Sequence, residues 1–223
     1  DIRAEANVEA VVDEIIARVR QKGDEALLEY AEKFDHVKLE SLTVTKKEID
    51  EALAAADPEF VRTLQMAAEN ITRFHKNQLH KNFVMNDQPG ILLGQKYTPI
   101  QRAGVYVPGG TAAYPSTVLM DVIPARVAGV SEIVMTTPAG RDGRVNPVIL
   151  TAAAVAGVDR IIKAGGAQAI AALAYGTQSV PAVDKIVGPG KVFVATAKRK
   201  VFGKVGIDMI AGPSEILVLA DGS

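Results

Sequence analysis

A chain of 223 residues, 48% of them hydrophobic, is long enough to bury a sizeable core as one large domain or two small ones. Its 25 Lys and Arg against 26 Asp and Glu leave a net charge of -1, which excludes the global positive field that nucleic acid or an anionic membrane would select. The absence of cysteine excludes a disulfide framework, a thiolate zinc site and a cysteine nucleophile within these residues. No apolar run reaches the length of a membrane span, and the acidic opening DIRAEANVEAVVDE is unlike a secretory signal, so a soluble, cytoplasmic protein is the expectation.

Val8, Val11, Val12, Ile15, Ile16 and Val19 recur at helical spacing and predict an amphipathic first helix. Gly23 interrupts it, and Asp24 is the expected N-cap of a second short helix with the stripe Leu27, Leu28, Ala31 and Phe34. Thr45 with Glu48 fits a capping box, and Asp57 before Pro58 sets an N-cap beside a proline suited to the first helical position. Two further helices begin there. The second carries Phe60, Leu64, Ala67, Ala68, Ile71 and His75 along one side over roughly five or six turns. Between Gly90 and Val107, glycine and proline punctuate short β-favouring runs that read as strands.

From residue 103 the texture changes to short apolar runs alternating with alanine-rich segments. GVYV, EIVMTT, RIIKA, DKIV and VGIDMI predict strands, separated by helical segments at the spacing of βαβ units. That spacing predicts a doubly wound α/β arrangement, a parallel sheet with helices on both faces. The strands end in VPGG at 107–110, AGGA at 164–167, VGPG at 187–190 and AGPS at 211–214. In a parallel sheet these turns share one edge, beside helix N-termini that suit anionic or carbonyl ligands. Glycine there serves a tight turn as readily as the close approach of a ligand.

The loop IVGPGKVF fails as a phosphate loop, because Lys185 stands at the position of the first glycine and Val192 at that of the magnesium-binding hydroxyl. It matches a dinucleotide fingerprint only at Gly188 and Gly190, with Phe193 where a small residue belongs. A nucleotide held by side chains such as Tyr106 and Gln168 remains compatible with this edge. His36, His75 and His80 lack the spacing of a helical zinc pair and read as structural or solvated. Ser214 serves equally as a turn residue or a ligand contact, no Ser–His–Asp set can be assembled, and AKRKVFGK reads as a solvated basic face.

GVYVPGG at 104–110, STVLM at 116–120, GGAQAIAALAYGT at 165–177, VDKIVGPG at 183–190 and IDMIAGPSEILVLAD at 207–221, in that order, resemble histidinol dehydrogenase. KGDEALLEYAEKFD at 22–35 and RFHKNQ at 73–78 resemble the same family's helical entry, so the likeness covers essentially the whole chain. The resemblance implies a zinc-dependent oxidoreductase that takes L-histidinol through histidinal to L-histidine with two NAD, the last step of histidine biosynthesis, and works as a homodimer. It implies an α/β fold similar to the aldehyde dehydrogenases, with incomplete Rossmann-like domains and an N-terminal helical segment. Residues 1–104 would be the helical part of a first domain, 105–210 the Rossmann-like domain, and 211–223 a strand returning to the first.

The family's NAD-contacting positions fall on Tyr106, Gln168 and Lys191, the last where the family usually has Asn. A lysine donates to phosphate or ribose oxygens but cannot accept as an amide does. A substrate-contacting serine falls on Ser214. The zinc ligands and the Glu-His general bases are expected beyond Ser223, so this chain holds no catalytic or metal residue and is expected to be inactive alone, as the N-terminal half of a longer enzyme. Two alternatives stay open: a paralogue oxidising another polar alcohol, such as a sulfonated diol, and a nucleotide-binding or dimer-forming module without catalysis.

Overall fold

The computed structural model describes residues 2–109, 113–210 and 215–221. Its elements run α1 (Ile2–Lys22), α2 (Asp24–Tyr30) prolonged by a π-turn (Ala31–Asp35), α3 (Lys46–Ala55), α4 (Pro58–Lys76), β1 (Phe83–Met85), β2 (Leu93–Gln95) and β3 (Arg102–Tyr106). They continue α5 (Pro115–Val127), β4 (Glu132–Thr137), α6 (Pro147–Ala156), β5 (Arg160–Lys163), α7 (Gly166–Tyr175), β6 (Lys185–Val187), α8 (Val192–Val201) and β7 (Gly206–Ile207). The alternation predicted from residue 103 is present, although the last strand is two residues long rather than the whole of VGIDMI.

Strands β3 to β7 form one parallel sheet in the order β5-β4-β3-β6-β7. Successive side chains of a strand point to opposite faces, and here each face has its own core. Val105, Ile133, Met135 and Ile161 pack under α5 and α6, which are covered in turn by α3 and α4. Tyr106, Val134, Ile162 and Ile186 face α7 and α8, which α1 and α2 cover. The α1 stripe is buried as its spacing predicts, with Val12, Ile15, Ile16 and Val19 all inside.

Local capping explains where the covering helices start. In α3 the Glu48 N–H donates to Thr45 Oγ1 at 3.2 Å and the Thr45 N–H to Glu48 Oε2 at 2.7 Å, the reciprocal pair of a capping box. In α4 the Asp57 carboxylate accepts from the Glu59 N–H at 2.8 Å, with Pro58 at a position whose missing donor costs nothing. The expectation for α2 fails: its cap is Gly23 at φ 60, and Asp24 is already helical. The Asp24 carboxylate instead accepts from the Thr177 and Ser179 hydroxyls, each at 2.5 Å, and from the Ser179 N–H at 3.1 Å. It staples α2 to the loop after α7, a long-range role that no local pattern encodes.

Away from the sheet, β1 and β2 form an antiparallel hairpin exposed on both faces. The strand expected from Ala211 falls partly outside the described residues, and 215–221 run without strand pairing, with Ile216 through Leu219 between 78% and 87% exposed. A strand needs a neighbour to satisfy its backbone, and none borders this segment among the described residues.

Candidate cofactor edge

The sheet order reverses direction between β3 and β6. From β3 the chain crosses over through α5 to β4 on one side, while β6 lies on the other side and leads into α8. The connections that leave two such strands run to opposite faces of the sheet and leave a crevice between them, where ligands of doubly wound sheets bind. Tyr106 ends β3 and Val187 ends β6, and at their exits the backbones nearly touch. Gly188 has φ 119, and a Cβ there would run into the Tyr106 carbonyl, so no other residue fits this turn.

The Gly188–Pro189–Gly190 turn is held from behind by charge. The Gly188 N–H donates to Asp208 Oδ2 at 3.0 Å, and its carbonyl accepts from Lys198 Nζ at 3.0 Å. Lys198 and Asp208 form an ion pair, and Lys198 is only 5% exposed. The reading of AKRK as a solvated face is therefore corrected: Lys198 points inward, while Arg199 pairs with Glu9 and Lys200 with Asp13 on α1. Asp121 on α5 lies beside this pair, with Oδ2 buried and without a partner. Burial, then repulsion from Asp208, pushes its carboxyl up to about 7, with Lys198 pulling the other way.

Three sequence-predicted positions meet this edge. Tyr106 is buried, and its hydroxyl accepts from the Gly166 N–H at 3.2 Å, at the start of α7. Burial pushes the phenol up, partly offset by that bond, while the charge of Asp35 pushes the same way as burial. Gln168 is buried in the first turn of α7, close enough to Gly166 that a Cβ there would crowd its amide oxygen at 2.7 Å. Lys191 is exposed and is the N-cap residue of α8, extended at φ -70, ψ -180, with no side-chain cap. The first N–H groups of α8 have no intrahelical acceptor. The fold thus joins Tyr106 to Gln168 through Gly166 and sets Lys191 at the adjoining exit. Ser214 lies outside the described residues, as do Gly110 and the AGPS turn.

Past Pro108 and Gly109 the same edge opens into a cavity of about 1010 Å³ between α3 and the loop after β4. Gly109 and Gly165 flank Pro138 so tightly that a Cβ on either would meet its ring. Glycine cradles, free helix N–H groups and one lysine fit a dinucleotide's phosphates and sugars. For zinc the fit is absent: no three His, Asp or Glu side chains converge among the described residues. His75 hydrogen-bonds Gln78 at 2.6 Å and His80, exposed, stacks on Tyr97. The sequence reasoning missed Asp208, Asp121 and Asp35; for Asp121, the signal was a lone acid inside the apolar run VLMDVI.

Comparison with known proteins agrees with this architecture. A histidinol dehydrogenase family model matches residues 2–223. The histidinol dehydrogenase of Geobacter sulfurreducens is 57% identical over 219 residues, 97% of this chain and 51% of that protein. That of Geobacillus kaustophilus is 58% identical over 212 residues, 95% of this chain and 50% of that protein. The crystal structure of histidinol dehydrogenase from Elizabethkingia anophelis superposes with a TM-score of 0.89 at 39% identity, over 93% of this chain and 48% of that one. The chain thus spans about half the length of the relatives it matches. Sheet order, glycine turns and a match over nearly every residue converge on one conclusion: the chain belongs to the histidinol dehydrogenase family.

Proposed function

We propose that the protein carrying this chain oxidises L-histidinol through histidinal to L-histidine with two NAD, and that this chain builds the dinucleotide side of the site. The observation that carries the reading is the switch point between β3 and β6, where only glycine fits at 188 and charged groups lock the turn from behind. Bound NAD supplies the hydride acceptor. Tyr106, fixed by the Gly166 N–H, and the buried amide of Gln168 position it, while Lys191 donates to a phosphate or ribose oxygen at the mouth of α8. The burial of Tyr106 and Gln168 keeps water from that end of the cofactor.

Ser214 is assigned a substrate contact, and the zinc ligands and general bases are assigned to the half of the family's length that this chain does not span. The division into a helical first-domain part at 1–104, a Rossmann-like unit at 105–210 and a returning segment from 211, the homodimer and the cytoplasmic location belong to the same reading.

The test is NADH formation from L-histidinol by the uninterrupted gene product, with and without a zinc chelator. Two NADH per histidinol, abolished by the chelator, is the expected result. Turnover of another polar alcohol, such as a sulfonated diol, with none of histidinol would overturn the substrate. This chain alone is expected to show no turnover.

A further inference from the structure

In doubly wound sheets that bind dinucleotides, an acidic residue near the end of the second strand bonds the ribose hydroxyls of the adenosine. The second strand here is β4, and it ends Thr136–Thr137–Pro138–Ala139, with no acid. The cavity beside that end nevertheless receives four carboxylates, from Asp35, Glu48, Glu51 and Asp142.

Three of the four are engaged. Glu48 accepts from the Thr45 N–H at 2.7 Å and pairs with Lys163 at 2.8 Å. Glu51 pairs with Lys47 at 3.7 Å, and Asp142 accepts from the Arg144 N–H at 3.1 Å. Asp35 alone has no hydrogen bond or ion pair among the described residues, although it is half-buried. Burial raises its carboxyl above the ordinary range, partly offset by His36, and its charge reaches the Tyr106 phenol.

Its backbone is also unusual. Asp35 closes the π-turn Ala31–Asp35, and His36 follows in the left-handed region at φ 55, a conformation costing a non-glycine residue about 1–2 kcal/mol. Such strain persists only where surrounding packing fixes it, and Val37 and Leu39, both buried, anchor the chain immediately after. The result is a half-buried carboxylate with free acceptor capacity at the rim where β3 and β4 end.

We propose that Asp35 accepts hydrogen bonds from the vicinal diol of the dinucleotide's adenosine ribose, a carboxylate delivered by the helical layer in place of the one β4 lacks. The inference rests on the dinucleotide reading above. The same charge repels a 2′-phosphate, so Asp35 selects NAD over NADP.

The experiment is calorimetric titration of the intact gene product with NAD, with its analogue lacking the adenosine 2′-hydroxyl, and with NADP, for the unaltered protein and Asp35→Asn. A charge-assisted bond to the diol predicts that Asp35→Asn weakens NAD about tenfold or more. It also predicts that the deoxy analogue loses affinity on the unaltered protein but little further on the variant, and that NADP gains relative to NAD in the variant. Full affinity of the unaltered protein for the deoxy analogue overturns the proposal, whether or not the variant folds. So does an equal loss of NAD and deoxy analogue on Asp35→Asn, which would mark a merely structural residue. Failure of the unaltered protein to bind NAD at all would overturn the dinucleotide reading itself, and this assignment with it.

Discussion

Replacing Asp121 by asparagine should stabilise the protein in alkaline solution and leave it unchanged in acid. Asp121 titrates near 7 in the fold, against 3.8 for an ordinary aspartate. Between those values the native state holds a proton that the unfolded chain has released. Stability from this group is therefore full below about pH 4 and falls as pH rises through 7. The whole interval corresponds to about 4 kcal/mol between the two protonation states. Asparagine keeps the shape and carries no charge beside Asp208, so at pH 8.5 Asp121→Asn should be the more stable by about 2–4 kcal/mol. With an m-value of about 2–3 kcal/mol/M, urea midpoints should differ by about 1 M at pH 8.5 and converge below about pH 4. A difference flat across that range, or one favouring aspartate at pH 8.5, would refute the assignment of a buried, repelled carboxylate.

Gly188→Ala forces a methyl group against the Tyr106 carbonyl, so the β3 and β6 exits must part; NAD affinity measured by calorimetry should fall at least tenfold even if the sheet survives. Lys198→Met leaves both Asp208 and the Gly188 carbonyl without their cation, and thermal unfolding should report a loss of about 3–5 kcal/mol, partly restored by adding Asp208→Asn. Asp24→Ala removes the acceptor shared by Thr177 and Ser179, costing about 1.5–3 kcal/mol, and should speed hydrogen exchange of the Ser179 amide. Leu173→Ala empties a fully buried position under β3 and should lower stability by about 2–5 kcal/mol in urea titrations.

What the sequence discloses about this fold follows from the range over which each feature acts. The Thr45–Glu48 box and the Asp57–Pro58 start are contained within four residues and were legible, as was the α1 stripe, whose burial depends on one period. Alternation of strand and helix disclosed a parallel sheet but not its order, because the reversal between β3 and β6 is a pairing across 82 residues, Ala103 with Lys185. Gly188 was visible as a turn residue, whereas its collision with Tyr106 was not. Lys198 was misread because its partner Asp208 lies ten residues on, beyond β7, and only the sheet brings the two together. Asp24 looked like a cap because local preference favours it there, and the hydroxyls of Thr177 and Ser179 overrode that preference from 150 residues away. Tyr106 and Gln168 were nameable only as candidates beside the glycine turns, and family resemblance singled them out with Lys191, since such side chains have no diagnostic spacing.

The layering described above also sets a schedule for folding on the ribosome. The apolar stripe of α1 is made well before the α7 and α8 surfaces that cover it, which are completed only near residues 175 and 201. At a synthesis rate of about 5–20 residues per second, that stripe waits roughly ten to forty seconds without its cover. α3, α4, α5 and α6 meet one another sooner, so the opposite face of the sheet closes first. Proteolysis of ribosome-arrested chains should therefore find residues 46–156 protected before 2–22. A nascent helix left open for that interval is the natural contact for a chaperone, and the point at which the fold depends most on the cell's attention.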